Sequence, residues 1–297
     1  MKTPGQHISL WQRVNRFGVK CQKKEIGDPL PTIRNSTVFD IQNVEDYCMQ
    51  FREKQFNFRH LPNVLPPFEE CFMQYTSKSP SHIGKLFQFG VLSSLMDLSD
   101  DKYHEWRSPG AFYVSVLCIL FWKPELGATP VLCGPRSVID ISENGQYLNC
   151  GVIDAENLTE VDLKTIKAVI LPALLATSFL HCKNVSRVAH EIDEPPKAIR
   201  HNKDAAPKYR YHVLQIDPMK EVLRTEGQSE TVGLKKALHI CRGHFRTYGE
   251  ESKGLFGRGQ HGTFFVPSHV RGNAKRGVVA KDYAITGLPV SQPPKEE

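Results

Sequence analysis

Three segments near the C-terminus carry the residue types that act on phosphates. In Leu238–Tyr248 the even positions are Leu238, Ile240, Arg242, His244, Arg246 and Tyr248, so an extended chain gathers its polar groups on one face towards the segment's end. In Thr263–Arg271 the even positions Phe264, Val266, Ser268 and Val270 form a core face and leave Phe265, His269 and Arg271 opposite. In Val278–Tyr283 the odd face presents Lys281 and Tyr283. As antiparallel neighbours, the three would display Arg242, His244, Arg246, Tyr248, His269, Arg271, Lys281 and Tyr283 on one surface. Arginine grips phosphate oxygens in pairs and offsets charge that builds up in a transition state. Histidine titrates near neutrality, so it can take a proton from a 2′-hydroxyl or return one to a leaving oxygen. Tyrosine can stack on a base. His244 and His269 are therefore the expected acid–base pair, with Arg242, Arg246, Tyr248, Arg271, Lys281 and Tyr283 as phosphate or nucleic-acid contacts.

That constellation needs neither metal nor cofactor, and its leading reading is a metal-independent endoribonuclease. A nucleic-acid-binding phage or plasmid regulator without catalysis uses the same residues. So does a protein whose basic face meets an acidic partner. A strand face of Arg and His also serves simply as a solvated, charge-paired surface.

The distribution of charge favours the same end of the chain. Of 297 residues, 38 are Lys or Arg and 32 Asp or Glu, a net of +6; residues 181–297 hold 20 and 13 of them, a net of +7, leaving −1 for residues 1–180. Eight of the 12 histidines also follow residue 180. Such asymmetry points to a polyanion, so RNA or another nucleic acid is the expected partner. With 40% hydrophobic and 24% charged residues, the composition excludes collagenous and wholly disordered classes. The eight cysteines are scattered singly, which predicts free thiols and a reducing compartment. Polar sequence follows Met1, and the apolar runs 111–122 and 168–180 fall short of the roughly 18–20 residues that span a bilayer. The expectation is a cytoplasmic protein with no membrane partner.

Other groupings carry less chemistry. His239, Cys241, His244, His261 and His269 lack the paired spacing of a structural zinc site, so no metal is expected. His181 and Cys182 close an apolar helix, where packing or capping is their natural role, although Cys182 and Cys241 each stand near histidines as nucleophiles do. Residues 254–259, rich in glycine, lack a Gly-Lys-Ser/Thr phosphate loop and read as a surface loop.

The segments Arg242-Gly243-His244-Phe245-Arg246, Val266-Pro267-Ser268-His269-Val270-Arg271-Gly272 and Lys281-Asp282-Tyr283 resemble the end of an uncharacterised family of bacterial and phage proteins. His181-Cys182-Lys183-Asn184-Val185 and Pro195-Pro196-Lys197 extend the resemblance over about the last 120 residues. It implies no particular activity. In arrangement, a basic, histidine-bearing antiparallel sheet is similar to small metal-independent RNases of the barnase, colicin and RelE type.

The elements that position these residues read as an α+β chain, a mixed helical and β first half followed by a small, mostly antiparallel sheet domain. Residues 1–35 are polar and basic and predict a flexible arm. Residues 36–187 predict an α+β domain. It holds a strand at 37–41, a helix over 44–51 capped by Asn43, and an amphipathic helix over 68–75 opened by Pro67. Apolar segments over 83–95 and 111–123 read as strands, the second central and covered on both faces, with helix as the alternative for each. Asn144-Gly145 predicts a hairpin joining 137–141 to 147–152, and Thr159 with Asp162 resembles a capping box before a long apolar helix in which Pro172 predicts a kink or two abutting helices. Residues 188–208, basic and proline-containing, predict a linker, 209–287 the β-rich basic domain, and 288–297 a tail.

Overall fold

A computed structural model describes residues 9–21, 28–49, 58–78, 86–96, 108–153, 158–192, 209–216, 237–241, 243–266, 269–271 and 273–278. Helices and a large mixed sheet make the chain α+β. The first strands are β1 (Lys20–Cys21), β2 (Thr37–Asp40), β3 (Glu70–Lys78), β4 (Leu86–Leu95) and β5 (Tyr113–Trp122). β6 (Val131–Ile141), β7 (Tyr147–Ile153), β8 (Val185–Ile192) and β9 (Tyr209–Ile216) complete the sheet. Their order is β1-β6-β5-β4-β3-β2-β9-β8, with β7 also on β6. β2 runs parallel to both β3 and β9, and β1 parallel to β6; the other pairs are antiparallel.

Two helical layers cover this sheet. On one face lie α3 (Gln42–Met49) and α4 (Glu160–Leu180), whose Val44, Cys48, Leu174 and Phe179 pack with Phe39, Met73, Leu117 and Leu214 of the strands. On the other lie α1 (Leu10–Phe17) and α2 (Leu30–Asn35), burying Leu10, Trp11, Val14 and Ile33 against Val38, Phe72, Leu92 and Leu120. Polar clamps fix α1: the Trp11 amide donates to Gln74 Oε1 (3.0 Å), and the Arg13 guanidinium lies 3.4 Å from the centre of the Trp122 ring. The chain expected as an arm thus supplies half of one core. Its Leu10, Trp11 and Val14 follow the helical period, and Ser9 closes a capping box with Gln12.

β5 matches its reading as a central strand buried on both faces: Leu117 and Ile119 join one core, while Val114, Val116 and Leu120 face the opposite side. The Asn-Gly hairpin is present, with Gly145 at φ 80° and the Ser142 amide donating to the Gln146 carbonyl (2.9 Å). The Thr159–Asp162 capping box opens α4, which runs unbroken across Pro172. At 21 residues, α4 is long and apolar enough by length and composition to cross a bilayer, yet half of that apolar window is buried in the fold.

Three expectations are corrected. Residues 70–78 form β3, not a helix; Cys71, Met73 and Tyr75 point to one core and Phe72 to the other, as period two requires. Asn43 lies inside α3, where its side-chain amide ties the helix to the Leu214 carbonyl (2.6 Å), and Asp40 accepts the Gln42 amide in its place. Residues 188–192 belong to strand β8 rather than to a linker, and β9 pairs with β2 and β8. The main sheet therefore crosses the boundary expected at residue 209. Residues 193–208 and 279–297 lie outside the described residues.

Candidate nucleic-acid interface

The two segments read as long strands are each divided in two. Leu238–Tyr248 becomes β10 (Ala237–Cys241) and β11 (His244–Tyr248); Thr263–Arg271 becomes β12 (Gly262–Val266) and β13 (His269–Arg271). β10 pairs antiparallel with β13 and β11 with β12, in different sheets. Both ladders keep one register, from His239 opposite Arg271 to Tyr248 opposite Gly262. Gly243, with no side chain to pack, lies between β10 and β11 outside either strand, while Pro267 and Ser268, between β12 and β13, lie outside the described residues. Of the third segment, Val278–Tyr283, only Val278 lies among the described residues; it ends β14 (Asn273–Val278), which pairs parallel with β10.

This register changes the grouping of residues. Directly opposed residues share a face, and here His244 meets Val266, Arg246 meets Phe264, and Phe245 meets Phe265. The even face of β11 is therefore joined to Phe264 and Val266, the positions expected to form the core behind it. His269 and Arg271 hold register positions opposite Cys241 and His239, of the other parity. The expected single face joined even positions of one strand to odd positions of the other, and the register does not bring these together. Arg242, Lys281 and Tyr283 lie outside the described residues.

The β11–β12 ribbon is seated on the main core through its odd face. Phe245 and Phe265 lie 5.3 and 4.7 Å from Phe179 of α4, centre to centre, and Phe265 stands edge-on to Tyr47 of α3 at 5.5 Å. Between α4 and β8, the fully buried Asn184 clamps β12. Its Nδ2 donates to the Phe265 carbonyl (2.7 Å) and its Oδ1 accepts the Phe265 amide (2.9 Å), while the Lys183 amide donates to the Thr263 carbonyl (2.9 Å). The side-chain amide occupies the place a further strand would take. In the sequence Asn184 stands out only through the family resemblance, because its partner is 81 residues away.

The even face points away from that core. His244 and Arg246 are exposed, and the Arg246 guanidinium sits 4.8 Å above the centre of the Tyr248 ring, which in turn meets Phe264 edge-on at 6.0 Å. Residues 249–261 form an ordered connection that contains the buried Leu255. The Leu255 amide donates to the Gln260 carbonyl (2.8 Å) and the Gly259 amide to the Lys253 carbonyl (2.9 Å). Gly254 has φ 70°, and a Cβ there would meet the Gln260 nitrogen at 2.4 Å, so glycine is required. This connection exposes Lys253, adds partly exposed Arg258 and His261, and carries Glu250 and Glu251 at its start. The stem of Lys183 lies against Gly262, adding another cation beside the ribbon.

The other groupings are structural. His181 caps α4 and its Nε2 pairs with the Leu65 carbonyl at 2.7 Å. Burial pushes the Cys182 thiol up to about 12, so it stays protonated and donates to the Ser178 carbonyl. Among the described residues no group of His, Cys, Asp or Glu could hold a metal ion. Comparison of the chain with protein-family models, curated proteins and solved structures finds no match.

Proposed function

We propose that this protein binds nucleic acid, RNA in the first instance, through the even face of the β11–β12 ribbon. The observation that carries the reading is Arg246 seated over Tyr248 beside an exposed His244, on a ribbon held from behind by Asn184. An arginine oriented by a ring keeps its N–H edge directed outwards for phosphate oxygens, at little further entropic cost. Arg258, Lys253 and Lys183 extend the positive field, and the +7 carried by residues 181–297 favours a polyanion at this end.

Binding without cleavage is the form of this proposal. An endoribonuclease using His244 needs a second acid–base group on the same face, and the residue opposite His244 is Val266. Binding of an oligoribonucleotide should weaken steeply with salt, because each phosphate contact releases counterions. Arg246→Gln should lower the slope of log K against log salt by about 1, the value for one lost phosphate contact. His244→Gln should change affinity little, and RNA should remain intact in EDTA. Salt-independent binding, or an unchanged slope in Arg246→Gln, would refute the ribbon as the interface. RNA cleavage in EDTA that disappears in His244→Gln would restore the enzyme reading instead.

A further inference from the structure

The main sheet ends in a strand that is open to pairing. β8 closes the strand order and pairs only with β9 among the described residues, so its other edge carries a row of N–H and C=O groups. Residues 186–191 are all exposed, the apolar Val188 included. Edges that avoid pairing are blunted by proline, lysine or a bulge. β8 reads Val185-Ser186-Arg187-Val188-Ala189-His190-Glu191-Ile192, with neither proline nor lysine, and its register with β9 runs unbroken through the whole strand.

The charges of β8 fit a second copy of itself. In an antiparallel ladder alternate residues bond to one neighbour and the intervening residues to the other. Two β8 strands related by a two-fold axis therefore set residues of equal parity opposite each other, and the axis passes through one residue position. With the axis at Ala189, Arg187 lies opposite the second copy's Glu191, and Glu191 opposite the second copy's Arg187. Val188 then lies opposite the second copy's His190, which covers an exposed apolar side chain. No other centre opposes these two charges: at Arg187 it sets the arginine against itself, at Val188 it sets Arg187 against Ala189, and at His190 it sets Glu191 against Ala189. Arg187 and Glu191 share one face of the sheet, since they lie opposite Leu214 and Arg210 of β9. The Arg187 guanidinium stands 5.3 Å from the centre of the Phe68 ring, and Glu191 accepts from the Arg210 Nε (3.0 Å). A carboxylate has about four lone-pair sites, so an arginine from the second copy adds to that pair without displacing it.

We propose that β8 pairs with β8 of a second copy of this chain, antiparallel and centred on Ala189, and so continues the main sheet across a two-fold axis. The pairing is independent of the ribbon, so Arg246→Gln should leave it unchanged even if RNA binding is lost. Sedimentation equilibrium of the full-length protein from about 1 to 500 µM should show a monomer–dimer equilibrium, because a single edge pair is a small interface. Arg187→Glu sets like charges opposite each other on both sides of the axis, and Glu191→Lys does the same; each variant alone should dimerise roughly tenfold more weakly than wild type. An equimolar mixture of the two opposes the introduced acid to the introduced lysine and the retained Glu191 to the retained Arg187, so it should regain association near the wild-type level. Ala189→Cys should yield a dimer linked from 189 to 189 under mild oxidation, as read by peptide mass spectrometry, because directly opposed residues lie about 4.5–5.5 Å apart between Cα atoms. Val188→Cys, opposite His190, should not link to itself. A monomer throughout the concentration range, a dimer indifferent to both charge variants, or a mixture no more associated than its separate components would overturn the proposal.

Discussion

Removing the Asn184 side chain tests whether the ribbon is a fixed platform. Asn184 is fully buried and supplies both hydrogen bonds to the Phe265 backbone, whose N–H and C=O point away from β11. Asn184→Ala leaves both groups without that partner at a site where Phe265 is itself 2% exposed. An orphaned buried donor or acceptor costs about 1–3 kcal/mol, so two should cost about 2–4 kcal/mol once partial hydration is allowed. The cost falls on opening of the ribbon, because the main sheet makes no use of those bonds. Hydrogen exchange at the Phe265 amide should therefore quicken by roughly 30- to 1000-fold, at 1.4 kcal/mol per factor of ten. Exchange in β4 and β5 should change far less. Asn184→Asp provides an internal control: it keeps the acceptor for the Phe265 amide but sets a carboxylate against the carbonyl. Burial and that repulsion raise the folded-state pKa of the new acid, so its stability should recover as pH falls through that pKa. Equal Phe265 exchange in wild type and Asn184→Ala, or an Asn184→Asp protein insensitive to acid, would refute the clamp.

Two further outcomes follow from packing. Gly90→Ala should destabilise the fold by about 1–3 kcal/mol in a urea titration, because a Cβ there would meet the Phe72 ring at 2.5 Å and Leu10 at 2.8 Å; Trp11 fluorescence should report the shift of α1. Burial pushes the thiols of Cys71, Cys133 and Cys182 up to about 12, so their thiolate fraction at neutral pH is negligible. Iodoacetamide should label these three only after unfolding, as read by peptide mass spectrometry, and rapid labelling of Cys182 in the native protein would revive it as a nucleophile.

Features written in local chemistry were readable from sequence, and those set by distant partners were not. Asn144-Gly145 needs only its own φ, and the Thr159–Asp162 box only one helical turn, so both appear where their residues predict them. Residues 68–75 read as a helix because Phe68, Cys71, Phe72 and Tyr75 match a spacing of three and four; a strand buried on both faces carries the same residues, and only the neighbouring β2 and β4 decide between them. The stretch 188–191 of β8 is the opposite case: exposed on both faces, it shows no alternation and reads as charged linker, yet its pairing to β9 holds it as strand.

The same distinction explains what became of the expected site. Alternation states which residues of one strand share a face, and for β11 it groups His244, Arg246 and Tyr248 through the ladder with Phe264 and Val266. It does not state which parity of the next strand lies opposite, because that depends on how the connection between them closes. With 13 residues between Tyr248 and Gly262, closure is decided by the turn at 254–260 and by the clamp at Asn184, and the resulting register sets His244 against Val266. A connection one residue shorter or longer, with the β11 end fixed, would have matched even positions to odd ones. The step between a two-histidine catalytic face and a binding ribbon is thus a one-residue change of register. Inserting one residue into the exposed stretch 250–253, with Asn184 still holding β12, should either bulge the loop and leave Phe265 exchange unchanged or release the ribbon; the first outcome would locate register control in the clamp, the second in the loop.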